Sequence, residues 1–113
     1  MPVNSRRKGS AGERELAALL REAGFKNAKR GQQFSGLQGD ADVVDALPGV
    51  HIECKRVERL NIDDAMEQSE RDARAGEVPA VFHRKNRKQW LVTMRLPAWL
   101  ELYKAYEKSR GTE

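Results

Sequence analysis

Two short β-prone runs, Ala41-Asp42-Val43-Val44-Asp45-Ala46 and Val50-His51-Ile52-Glu53-Cys54-Lys55-Arg56-Val57, are separated by Pro48-Gly49. Proline presets φ for the first corner of a turn and glycine accepts a positive φ at the second, so the segment reads as a hairpin. No other feature limits the fold as tightly. Residues two apart on a strand project from one face, so Glu53 and Lys55 point together. The turn folds the strand carrying Asp42 back beside them. Two carboxylates and an ammonium therefore converge at the end of one sheet.

The rest of the chain supplies the elements to complete that sheet. Ser10-Ala11-Gly12-Glu13 is a Ser-x-x-Glu capping box, followed by Leu16, Leu19, Leu20 and Ala23 at helical spacing, with Gly24 as the stop. Phe25 to Arg30 reads as a short edge strand, and residues 31–39, rich in glycine and glutamine, as a loop. Asn61 caps a second helix with Ile62, Ala65, Met66, Ser69 and Ala73 on one face and Gly76 at its end. A strand from Val78 to His83, a basic turn from Arg84 to Lys88 and a strand from Gln89 to Met94 follow. Pro97 opens a last helix bearing Trp99, Leu100, Leu102, Tyr103 and Tyr106. The order α-β-β-β-α-β-β-α implies an α/β fold, a small mixed central sheet flanked by helices. With 39% hydrophobic residues in 113, the chain has material for one core. The expected layout is a flexible basic arm over residues 1–9, a single domain over 10–108 and a flexible tail over 109–113.

Charge narrows the choice of partner. The 21 basic and 17 acidic residues leave a net +4, and the pI is ≈ 9.5, which favours a polyanion. Basic residues cluster at Arg6-Arg7-Lys8, Lys26/Lys29/Arg30, Lys55-Arg56/Arg59 and Arg84-Lys85-Arg87-Lys88, while acids gather between Asp63 and Asp72. The single cysteine, Cys54, excludes an internal disulfide and a multi-cysteine zinc site. His51 and His83 have no second His or Cys at ligand spacing, so zinc is not expected. No apolar run approaches the ~18 residues needed to span a bilayer, and no hydrophobic region follows Met1 to Lys8. The expectation is a cytoplasmic chain with no membrane partner and no small-molecule cofactor.

The convergent acids have a chemical use. Mg²⁺, with Mn²⁺ as substitute, takes oxygen ligands, and two carboxylates plus a backbone carbonyl suffice when water and phosphate complete the shell. Such an ion acidifies bound water and polarises a phosphoryl oxygen, while Lys55 orients the nucleophile or offsets developing charge. The Cys54 side chain is expected to pack inward, leaving its carbonyl for the metal.

The segments Arg7-Lys8-Gly9-Ser10-Ala11-Gly12-Glu13-Arg14-Glu15-Leu16, Asp42-Val43-Val44 and Ile52-Glu53-Cys54-Lys55, in that order and spacing, resemble the archaeal-type Holliday junction resolvases of the PD-(D/E)xK nuclease superfamily, which has small phage-encoded relatives. The resemblance covers nearly half the chain and implies a restriction-endonuclease-like core. It assigns Glu13 to the family's helix-borne acid, Asp42 to the Asp ahead of two apolar strand residues, and Glu53 and Lys55 to the closing Glu-x-Lys. Ala41 stands where the family often has proline. Asp40 lies two residues from Asp42 on the same strand face and competes for the metal. Helical geometry alone does not separate Glu13 from Glu15; only the family register selects Glu13.

The resemblance places Arg14 and Arg30 as phosphate-binding side chains. Arg7, Lys8, Arg56, Arg84, Lys85 and Arg87 are further candidates for DNA contact, of the kind that needs flexible cations and carries no base specificity. Gln68, on the polar side of the second helix, is a candidate to reach the metal-bound water. Trp90, Trp99, Tyr103 and Tyr106 read as core or dimer-contact residues, not as a base-stacking platform. The implied activity is structure-selective hydrolysis of four-way DNA junctions by a homodimer, one site per nicked strand. A nuclease for flaps, forks or ends, a non-catalytic DNA-binding module, and an unrelated α/β domain with structural acids remain alternatives.

Overall fold

The computed structural model describes residues 5–31 and 41–111, with the backbone alone for residues 5–9. Its elements are α1 (Ser5–Glu22), β1 (Lys29–Arg30), β2 (Val43–Val44), β3 (Val50–Arg56), α2 (Ile62–Asp72), β4 (Val78–Arg84), β5 (Leu91–Thr93) and α3 (Leu96–Gly111). The order is the one expected from the sequence. The strands form one mixed sheet in the order β1-β2-β3-β4-β5, parallel between β3 and β4 and antiparallel elsewhere. This architecture is consistent with the core that the resemblance implies.

The β2–β3 hairpin forms as expected, with Val43 opposite Ile52. Its turn closes by Val50 N–H donating to the Leu47 carbonyl at 3.0 Å, and Gly49 takes φ +86°. In the parallel pair Ile52 faces Ala80, Glu53 faces Val81 and Cys54 faces Phe82, so alternate residues of both strands go to opposite faces. Ile52, Cys54, Ala80 and Phe82 meet Leu16 and Ala17 of α1 in the larger core. Val81 meets Ala65 and Met66 of α2 in the smaller one. Burying this apolar set against two helices is what holds the sheet flat-packed between layers.

Several boundaries differ from the sequence expectation. α1 starts at Ser5, so residues 5–9 are helical where an arm was expected, and Ser10 lies inside the helix, accepting from Arg14 Nη1 at 3.4 Å. Arg6, Arg7 and Lys8 are good helix formers, and one glycine costs only about 1 kcal/mol, too little to stop the helix. α3 likewise runs to Gly111, through part of the expected tail. α2 is capped by the Asn61 side chain as expected but ends at Asp72, and Gly76 instead serves the turn that leads into β4. β1, β2 and β5 are shorter than their apolar runs suggest. β4 takes in Arg84, so the basic turn begins at Lys85.

Candidate active site

β3 brings His51, Glu53 and Lys55 to the sheet face covered by α2. Glu53 is 3% exposed and His51 2%. Lys55 Nζ donates to Gln68 Oε1 of α2 at 3.1 Å and lies 3.8 Å from Glu53 Oε2. Gln68 thus reaches the site, through the lysine. Asp42, just ahead of β2, is buried as well, and its Oδ2 accepts from the Cys54 backbone N–H at 2.8 Å. That bond ties Asp42 to the residue between Glu53 and Lys55.

Burial first, and then the neighbouring Glu53 carboxylate, push the Asp42 carboxyl up to about 7; the Cys54 N–H and Lys55 pull the other way. Burial and the Asp42 charge also push the Cys54 thiol well up, keeping it a neutral core side chain. Glu13 adds negative charge felt at Asp42 and is held by Arg30 Nε at 2.9 Å. The structure therefore brings together Glu13, Asp42, Glu53, Lys55, Gln68 and Arg30.

Other expected site residues stand apart. Arg84 Nε and Nη2 donate to the two oxygens of Glu15 at 2.9 and 3.1 Å, Arg56 Nε lies 3.2 Å from the same carboxylate, and Trp90 Nε1 donates to it at 3.1 Å. These groups sit on the α1 face. Arg14, Lys85 and Arg87 are exposed, the last in the left-handed region at φ 63°. Arg7 and Lys8 lie on α1 where only the backbone is described, and Asp40 lies outside the described residues.

His51, whose sequence offers no second His or Cys at ligand spacing and so predicts no metal role, lies among carboxylates. Its Nε2 is 3.5 Å from Glu53 Oε1 and its Nδ1 3.7 Å from Glu77 Oε1. The signal was present, because His51 precedes Glu53 by two positions on one strand face, but its neighbours are carboxylates, not a second His or Cys.

The set fits a divalent cation. Asp42, Glu53 and the Cys54 carbonyl are hard oxygen donors, and the mutual repulsion that raises the Asp42 pKa is an excess of buried negative charge that a cation relieves. A mixed sheet between helices, with Asp42 before one strand and Glu53-x-Lys55 on the next, is consistent with a nuclease of the PD-(D/E)xK class. The chain belongs to the family described as "Phage putative PDDEXK endonuclease", whose model matches residues 4–112. No curated protein and no solved structure matches it. PDDEXK nucleases generally use divalent metals, and membership implies a DNA substrate. Among the described residues no helix is long and apolar enough to cross a membrane.

Proposed function

We propose that the chain is a Mg²⁺-dependent endonuclease that resolves four-way DNA junctions by paired hydrolysis of phosphodiester bonds. The observation that carries this reading is the buried Asp42–Glu53 pair with Lys55 beside it. Asp42, Glu53 and the Cys54 carbonyl would hold the metal, with Glu13 orienting at its edge. The ion, Mg²⁺ or Mn²⁺, supplies Lewis acidity toward water and the phosphoryl oxygen. Lys55, steadied by Gln68, offers an N–H to the attacking water and offsets the charge that grows on the phosphate. Attack in line would break one P–O ester bond as the new P–O bond forms and invert the phosphorus, the water giving up a proton to solvent and the departing oxygen taking one up from it.

The exposed Arg14, Lys85 and Arg87 serve the DNA backbone in this reading, and Arg7 and Lys8 of α1 are assigned the same role from the sequence. Arg30 couples phosphate binding to Glu13. A homodimer would give a junction its two sites. Support comes from α3, which has no buried residue and presents Trp99, Leu102 and Tyr106 at 49%, 50% and 58% exposure. Leu91 and Val92 of edge strand β5 are exposed too. Apolar surface of this extent on a small chain marks an interface.

The test is a labelled four-way junction beside a linear duplex of equal length, with Mg²⁺ and with EDTA. Paired nicks confined to the junction and absent in EDTA are expected. Equal cutting of the duplex, or preference for a flap or fork, removes the junction assignment. Binding without cutting leaves a DNA-binding module. A monomer in sedimentation at micromolar concentration, with and without DNA, removes the dimer.

A further inference from the structure

We propose that His51, Glu53 and Asp72 form a second cation site, on the side of Glu53 away from Lys55, that takes a transition-metal dication. Oxygen and nitrogen atoms of the three side chains lie within 4.8 Å of one another. The His51 ring is almost wholly buried, and its Nε2 has no hydrogen-bond partner although it is aimed at the cluster. The 3.5 Å from Nε2 to Glu53 Oε1 is long for a hydrogen bond. It suits two donors sharing one ion, since ligands at about 2.1 Å from a tetrahedral metal sit about 3.4 Å apart.

Three further features point the same way. Asp72 is the last residue of α2, where the negative end of the helix dipole disfavours a carboxylate and a cation is wanted. The His51 Nδ1 faces Glu77, the arrangement in which a carboxylate orients an imidazole whose other nitrogen binds metal. A cavity of ≈ 870 Å³ is lined by His51, Asp72 and Glu77, giving ions a route in. One nitrogen with two carboxylates favours Mn²⁺, Co²⁺ or Zn²⁺ over Mg²⁺, which prefers an all-oxygen shell. Glu53 turns Oε2 toward Lys55 and Oε1 toward His51, so it would bridge the two ions. The bridging role and the count of two ions rest on the nuclease reading above; the nitrogen-ligated site does not.

The probe is Mn²⁺, bound to the full chain and followed by calorimetry and by pulsed electron paramagnetic resonance, which detects nitrogen bonded to the ion. Two Mn²⁺ per chain with nitrogen coupling are expected. H51Q and D72N should each lose one ion and the nitrogen coupling while circular dichroism stays native; H83Q should keep both. D42N should lose cleavage yet keep the coupling. Wild-type protein that cuts DNA without nitrogen coupling overturns the second site and leaves the nuclease intact. Coupling in a chain that cuts no DNA does the reverse. A coupling that survives H51Q overturns the assignment even if two ions bind.

Discussion

The two faces of β3 handle carboxylates in opposite ways. On the α1 face one carboxylate, Glu15, is met by two guanidiniums and an indole, with both oxygens engaged by Arg84 and one also by Trp90. Burial alone would raise its pKa, yet the hydrogen bonds from Arg84 and Trp90 and the charges of Arg84 and Arg56 hold it below the usual carboxylate range. On the other face and at the β2 edge, Asp42 and Glu53 are buried together, and Lys55 stands 3.8 Å from Glu53. There the pKa of Asp42 goes up, not down. In the first cluster the one carboxylate is more than matched by its cations, and the contact stitches α1 to β4. The second carries more negative charge than its neighbours offset, which is the condition that a bound cation would relieve.

The sharpest way to break this contrast is to remove one acid from each side. Glu53→Gln, Asp42→Asn and Lys55→Ala should each lower the cleavage rate at least ~10²-fold while junction binding persists. In metal-free protein Asp42→Asn should raise the melting temperature, because a buried like-charge pair disappears. Glu15→Gln should do the opposite. It should destabilise by about 1–3 kcal/mol in urea titration, since Arg84 and Trp90 lose a charged acceptor, and should leave the cleavage rate of the folded fraction unchanged. Matching signs for the two melting shifts would erase the distinction.

Acid titration sharpens the same contrast. Because the folded pKa of Glu15 is depressed, the stability it contributes is fully present above the ordinary carboxylate pKa. It drains away as pH falls through the folded value. Wild-type protein should therefore lose stability on acidification faster than Glu15→Gln, measured as urea midpoints between neutral and acid pH. Equal slopes would mean that the Glu15 cluster contributes nothing.

Gly12 tests how closely the two faces must be held. A Cβ at this position would lie 2.9 Å from Arg56 Cβ, so α1 can approach β3 only because residue 12 has no side chain. Gly12→Ala should cost about 1–3 kcal/mol by thermal unfolding as α1 is pushed from the sheet. Since the same helix carries Glu13, cleavage should fall as well. Native stability with native activity would show that the contact yields without consequence.

What the sequence made legible follows the range of each interaction. The hairpin, the pairing of Glu53 with Lys55 and the Asn61 cap are local, and periodicity with turn chemistry exposes them. Glu15 meets Arg84 across sixty-nine positions, and no spacing rule reveals that pairing. The basic run from Arg84 to Lys88 reads as one turn because its residues are alike, yet β4 claims the first of them for the α1 face. The start of α1 was obscured because a capping box also occurs inside helices. Asp72 joins His51 only through the packing of α2, whereas His51 itself was visible in the strand alternation.

That basic run supplies the smallest expected effects and the finest test of the contrast. Arg84 is bound to Glu15, while its neighbour Lys85 is exposed. Arg84→Gln should therefore lower stability by about 1–2 kcal/mol, with discount for its partner's partial exposure, and leave the salt dependence of DNA binding unaltered. Lys85→Gln should leave stability within about 0.5 kcal/mol of wild type. It should weaken junction binding a few-fold and reduce the log–log salt slope by about 1, the signature of one lost phosphate contact. Fluorescence anisotropy over a salt series reads both. If Arg84→Gln changes the salt slope and Lys85→Gln does not, the guanidinium held by Glu15 is also a DNA ligand, and the two faces of the sheet share more work than their charges suggest.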